Sequence, residues 1–255
     1  MNIFVCLKQT FDTEEKIVVD NGQVKEDGVR FVMNPYDEYA VEEAIQLRDK
    51  FGGSITVVTI GPDRAQEALR TALAMGADEA VHIADESLFG DEYSASNVLA
   101  TYFKDKSYDI ILCGNQAVDD GSGQVAVRLA ELLGLPHIST ITKLEIDGTD
   151  VTASRDAEGD EEVVGATLPV LVTAQQGLND PRYPSLIGIR KANKKPLEAP
   201  AAGDLGLSGD TFAAKSSVVT TFLPAEKTGG RILEGDNAQR VQELVNLLKN
   251  EAKVL

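Results

Sequence analysis

The chain is poor in the residues from which most catalytic and metal sites are built. It has two cysteines, two histidines, and 24 Lys and Arg against 41 Asp and Glu, for a formal net charge of -17. The cysteines, Cys6 and Cys113, sit inside apolar runs with no CxxC spacing. They read as small buried hydrophobes of central strands rather than as a disulfide or redox pair. No His, Cys and carboxylate cluster has ligand spacing, so no metal site is expected. His82 and His137 lie beside apolar strand residues and read as structural, with no Ser/His/Asp or Cys/His grouping to support side-chain catalysis. The shortage of Lys and Arg argues against a nucleic-acid partner, which needs clustered basic residues. Otherwise the acidity signals solubility. No apolar run approaches a membrane span, and the N-terminus reads as a strand rather than a basic region leading into an apolar one. No membrane association and a cytoplasmic location are expected. Glycine-rich signatures are missing too, with neither a Gly-Lys-Ser/Thr P-loop nor a G-x-G-x-x-G fingerprint.

What is present is a globular pattern: 255 residues, 43% hydrophobic and 25% charged, enough for one large domain plus an extension. Asn2 to Lys8 reads as a buried strand. Asn21-Gly22, between two short β-like runs, predicts a hairpin excursion within residues 11 to 33. Asn34-Pro35 starts a helix whose apolar face is Tyr39, Ala40, Val41, Ala44, Ile45 and Leu47, and Gly52-Gly53 stops it. Ser54 to Ile60 is a strand, Arg64 to Met75 a helix, Glu79 to Ile83 a strand and Ser94 to Phe103 a helix. This alternation with short connections predicts an α/β fold with a doubly wound, mostly parallel sheet. Ligands of such sheets bind beyond the carboxyl ends of the strands, where the winding reverses.

The most informative stretch is Tyr108 to Leu133: the strand Ile110-Ile111-Leu112, a polar loop with Gly114, Gly121 and Gly123, then an apolar-periodic run. With Ser122 as N-cap, free amides and the positive helix end would receive a phosphate. An ordinary strand-to-helix turn remains the alternative. Beyond Pro136, short β-type runs (Ser139 to Ile146, Val151 to Arg155, Glu162 to Ala166) predict an antiparallel β meander. A buried strand follows at Leu168 to Thr173. The segment from Gln175 to Pro196 is either a solvated loop or a partner-facing element. Residues 197 to 225 read as an arm, and a final helix from Asp236 or Asn237 to about Lys253 carries Val241, Leu244, Val245 and Leu248 on one face.

Several of these segments resemble one family. Asn34-Pro35-Tyr36 with Ala40 to Ala44, Thr71 to Asp78, and Gly114 to Asp120 with Gly123-Gln124 are similar to its helices and nucleotide loop. The most specific match is Ala153 to Thr173 followed by Leu178 to Leu186. Together these resemble the beta subunit of electron-transfer flavoprotein over residues 1 to 200. The resemblance implies an α/β domain of the Rossmann-like, adenine nucleotide hydrolase-like kind, spanning 1–196. Residues 197–255 would form an arm and helix packed on a larger alpha subunit. It also implies flavin adenine dinucleotide (FAD) at the subunit boundary and electron transfer between dehydrogenases.

Carried over by position, the nucleotide site comprises Cys6, Asn34, Pro35, Tyr36, Asp37, Ile60, Asn115, Gln116, Ala117, Val118, Asp119, Asp120, Gly121, Ser122, Gly123, Gln124, Val125 and Ala126. Residues 178 to 195 would be a recognition loop, with Leu186 its apolar anchor on an acyl-CoA dehydrogenase, flanked by Arg182, Tyr183, Arg190 and Lys191. A Leu186 folded back on the core is the alternative. The small residues from Asp119 to Gln124 leave room for a group larger than AMP, and the loop resembles that of electron-bifurcating members of the family, which implies FAD in this subunit, NADH as electron donor and ferredoxin or flavodoxin as acceptor. AMP in a simple electron shuttle is the alternative. A stand-alone adenine-nucleotide-binding stress protein is a reading of another class, and would lack the 153 to 173 signature and the arm.

Overall fold

The computed structural model describes residues 1–207, 212–226 and 229–255. Its frame alternates strands and helices: β1 (Asn2–Cys6), β2 (Gln9–Phe11), β3 (Val19–Asp20), β4 (Gln23–Val24), β5 (Phe31–Met33), α1 (Pro35–Phe51), β6 (Ser54–Ile60), α2 (Gln66–Met75), β7 (Glu79–Ile83), α3 (Glu92–Phe103), β8 (Ile110–Gly114) and α4 (Val125–Leu133). Then follow β9 (His137–Asp147), β10 (Asp150–Ala157), β11 (Asp160–Thr167), β12 (Val170–Ala174), α5 (Leu186–Ala192), β13 (Leu197–Glu198) and α6 (Asn237–Asn250).

Among the described residues the main sheet has nine strands in the order β11-β10-β9-β12-β8-β1-β6-β7-β13. From β9 to β13 all neighbours are parallel, and β9, β10 and β11 pair antiparallel. The meander is therefore continuous with the parallel sheet, joined through β9 beside β12. Side chains alternate across each strand, so the sheet has a core on each face. Ile3, Val5, Ile110, Leu112, Val170 and Val172 pack towards Val41, Ile45, Leu69 and Leu73 of α1 and α2. Phe4, Ile111 and Leu171 pack towards Leu99, Phe103 and Leu129 of α3 and α4. This two-sided burial is why the strands read as unbroken apolar runs.

Local chemistry sets the boundaries. Pro35 opens α1, and Gly52 (φ 73°) and Gly53 (φ 114°) end it. Asn21 (φ 51°) and Gly22 (φ 76°) turn the β3–β4 hairpin in the left-handed region, which relieves strain most at glycine. The segment between Gln175 and Pro196 contains α5, whose N-cap Ser185 accepts from the Gly188 amide at 3.0 Å. Its seven residues are too short for a helical period to stand out in the sequence. β13 pairs with β7 and carries the sheet past the boundary expected at 196. Asp236 and Gln239 close α6 with a reciprocal capping box, and Val241, Leu244 and Val245 on that helix are exposed.

Candidate functional site at the reversal of the winding

From β1 the chain winds outward through β6 to β7, then returns to β8 on the other side of β1 and continues to β12. The connections leaving β1 and β8 therefore diverge, and a cleft of ≈ 330 Å³ opens beyond their carboxyl ends. Of the expected site residues, Cys6, Asn34, Asp37, Ile60, Asn115, Gln116, Ala117, Asp120, Ser122, Gly123, Gln124, Val125 and Ala126 line it. Pro35, Tyr36, Val118, Asp119 and Gly121 do not. Leu7, Lys8, Thr59, Gly61, Pro62 and the run Leu88 to Glu92 line it as well. The last run follows β7 and was open to the same reasoning about strand ends.

Asp37 ties the floor together. One carboxylate oxygen accepts the Lys8 amide at 2.7 Å and the other the Gly114 amide at 3.0 Å, so one side chain of α1 fixes the ends of both β1 and β8. Burial pushes its carboxyl up to about 7, against the opposing pull of those amides and of Asn34. Asn34 holds the loop beyond β8, donating to the Gln116 carbonyl at 2.9 Å and accepting the Val118 amide at 3.1 Å. A side chain at Gly114 would lie 2.2 Å from Asp37 Oδ1 and 2.9 Å from the Tyr36 carbonyl carbon, so the close approach requires glycine.

At the mouth, Lys8 Nζ pairs with Asp119 Oδ1 and Asp120 Oδ2, each at 2.8 Å. Burial lowers the Lys8 pKa, but the two carboxylates outweigh it and the net direction is up. Burial likewise raises Asp120, yet Lys8 and the Ser122 amide leave it below its usual range. The Ser122 amide turns back to Asp120 Oδ1 at 2.8 Å, and α4 begins only at Val125 with Gln124 as N-cap and no side-chain cap. This corrects the expected N-cap: Ser122 is spent on the loop. The first-turn amides of α4 consequently have no side-chain acceptor, which suits a ligand phosphate better than a capped terminus does. Gly121 (φ 64°) and Gly123 (φ 60°) make the turn that brings the loop to them.

Cys6 and Cys113 are register partners on β1 and β8 and both line the cleft. Hydrogen bonding from Cys113 to Cys6 and burial push the Cys113 thiol well up, which keeps it protonated and unreactive. His82 is fully buried, and its Nε2 meets the Gly61 carbonyl at 2.9 Å, holding the β6 tip. Among the described residues no group of three or more His, Cys, Asp and Glu could hold a metal ion, and no helix is long and apolar enough to cross a membrane.

A second surface lies on α5. Leu186 is 79% exposed and Ile187 66%, so Leu186 is not folded back onto the core. Arg182 stays exposed while its Nε and Nη2 bind the buried Glu42 carboxylate at 2.8 and 2.9 Å. Arg190 and Lys191 stay exposed at the rim.

Together, the reversing sheet and its cleft define a doubly wound α/β protein whose cleft is built on strand tips and one helix start. The electron transfer flavoprotein domain pattern matches residues 21–205, and the chain belongs to the electron transfer flavoprotein family. It is 57% identical to "Electron transfer flavoprotein subunit beta" of Bacillus subtilis (strain 168), with both chains covered in full. The protein of the same name from Syntrophomonas wolfei is 41% identical, over 100% of this chain and 98% of that one. "Caffeyl-CoA reductase-Etf complex subunit CarD" of Acetobacterium woodii is 36% identical, over 98% and 99%.

Proposed function

We propose that this chain is the beta subunit of a heterodimeric electron transfer flavoprotein and that its cleft holds the adenine nucleotide AMP. The observation that carries this reading is the uncapped start of α4, set behind two left-handed glycines on the floor of the cleft. Asn34 and Asp37 would hold the walls in place, the α4 amides would receive the phosphate, and Lys8 would offset the negative charge of Asp119 and Asp120. A cleft of ≈ 330 Å³ lies near the lower end of the roughly 300–1,000 Å³ usual for ligand sites. That favours a mononucleotide over a dinucleotide. The flavin supplies the electron chemistry, and the protein supplies its position and surroundings.

The second reading is FAD in this cleft with NADH as donor and electron bifurcation to ferredoxin or flavodoxin. The likeness to the subunit of the caffeyl-CoA reductase-Etf complex supports it. In either case α6 would pack on the alpha subunit, with the exposed Val241, Leu244 and Val245 as the buried face. The α5 surface would dock on an acyl-CoA dehydrogenase. There Leu186 contributes about 2 kcal/mol when buried, and Arg190 and Lys191 steer the encounter.

The nucleotide content of the heterodimer tests this. After denaturation, one flavin and one AMP per heterodimer is the expected result. Two flavins and no AMP would replace it with the second reading, and no nucleotide beyond one flavin would overturn both.

A further inference from the structure

The loop between β7 and α3 carries two aspartates that are used alike. Asp85 Oδ1 accepts the Ser87 amide at 3.0 Å and its hydroxyl at 2.6 Å, capping a short 3-10 turn, while Oδ2 accepts the Ala202 amide at 3.1 Å. Asp91 Oδ1 accepts the Ser94 amide at 3.0 Å and its hydroxyl at 3.1 Å, capping α3. Its Oδ2 accepts the Lys215 amide at 2.7 Å, the Ser216 amide at 2.8 Å and the Ser216 hydroxyl at 3.0 Å. A helix cap needs one acceptor oxygen, and serine or asparagine would serve as well as aspartate. Only a carboxylate has a second oxygen free to accept, and both second oxygens go to the C-terminal arm.

What lies between the two aspartates is cleft wall: Leu88, Phe89 and Gly90 line it. The arm lies against this wall, since a Cβ at Gly90 would sit at contact distance, 3.4 Å, from Ala214 Cβ. Lys215 Nζ lies 5.0 Å from the Tyr93 ring centroid, and the Thr221 amide donates to the Gly22 carbonyl at 2.8 Å. The arm is thus fastened on both sides of the wall and again at the hairpin.

We infer that Asp85 and Asp91 are positioning residues for the cleft, through which the arm fixes the wall Leu88 to Gly90 and so sets how firmly nucleotide is retained. The retention half of this inference rests on the nucleotide reading above. The wall half does not.

The test uses the full chain co-purified with its alpha subunit, comparing wild type with the double variant Asp85→Asn/Asp91→Asn. An amide oxygen still caps each helix, but an NH₂ group now meets the donors of the arm. Hydrogen exchange at the amides of 202, 215 and 216 should quicken about tenfold, the loss expected for hydrogen bonds to a charged acceptor. AMP should leave on dialysis several-fold faster, with helix content by circular dichroism unchanged. In nucleotide-stripped heterodimer, alkylation of Cys6 by iodoacetamide, read by mass spectrometry, should also accelerate several-fold. Asp85→Ser/Asp91→Ser, which keeps a capping hydroxyl and removes the second acceptor, should behave the same way. Unchanged amide exchange would overturn the fastening. Faster exchange with AMP loss and Cys6 alkylation both at wild-type rates would overturn the link to the wall. If the wild-type heterodimer carries no AMP, the nucleotide reading fails on its own and the Cys6 rate alone decides the inference.

Discussion

Gly114→Ala is the most severe single-methyl change the cleft offers. The added carbon would lie 2.2 Å from Asp37 Oδ1, 2.8 Å from Tyr36 Cβ and 2.9 Å from the Tyr36 carbonyl carbon. All three neighbours belong to the first turn of α1, and the two Tyr36 atoms cannot swing aside as the end of a surface side chain can. Either α1 retreats by most of an ångström or Asp37 leaves its place, and the second course strands the Gly114 amide it accepts at 3.0 Å. Overpacking of this kind costs about 1–3 kcal/mol, and a stranded buried donor about as much again, giving roughly 2–6 kcal/mol. With a urea slope of about 3 kcal/mol per molar for a chain of this size, the unfolding midpoint should fall by roughly 0.7–2 M. Gly121→Ala is the control, since nothing lies within 4 Å of its added carbon and only φ +64° opposes it. It should cost about 1–2 kcal/mol. A Gly114→Ala midpoint within about 0.3 M of wild type would refute the claim that Asp37 pins the two strand ends through this contact.

Further outcomes can be stated briefly. Asp37 has its carboxyl raised from 3.8 to about 7 by burial, so the fold favours the protonated form. That contribution is fully present below about 3.8, declines as pH rises and is lost above about 7, a change of order 4 kcal/mol. Asp37→Asn should remove this slope, and parallel stability curves for variant and wild type would refute it. Glu42→Gln should loosen the segment carrying α5, because its carboxylate accepts from both the guanidinium and the amide of Arg182. The expected result is a raised KM for the dehydrogenase partner at unchanged cofactor content, and an unchanged KM would sink the assignment. Leu186→Ala should weaken that same encounter by about 2 kcal/mol in a binding titration, with stability unaffected because the side chain is exposed. Leu244→Asp should abolish co-purification with the alpha subunit while leaving the α/β domain folded, and intact co-purification would remove α6 from the interface.

Much of the frame was legible because each central strand is apolar on both faces and α1, α2 and α4 each end at a glycine. Ser54–Ile60 and Glu79–Ile83 stand where the sequence places them. The start of α4 lies beyond Ser122, the expected cap: a serine before an apolar run has the chemistry of a cap, but the helix begins at Val125 with Gln124 in the N-cap position. The short α5 was hidden between prolines. The hold of Arg182 on Glu42 was not legible, because the two lie 140 positions apart in the chain and the pairing has no local signal. The same holds for Asp85 and Asp91, whose capping role is local but whose hold on residues 202, 215 and 216 arises only in three dimensions.

The capping box of α6 has a consequence for how much of this chain a cell can hold alone. Asp236 and Gln239 satisfy the amides at the start of the helix, so it is complete in its hydrogen bonds and incomplete in its packing. Val241, Leu244 and Val245 remain 60%, 47% and 44% exposed, on a helix with no buried residue. A chain synthesised in excess of its mate would display this stripe continuously, as a handle for chaperones and proteases and a seed for aggregation. Balanced production of two subunits would thereby be enforced by a helix that folds readily yet buries none of its own residues.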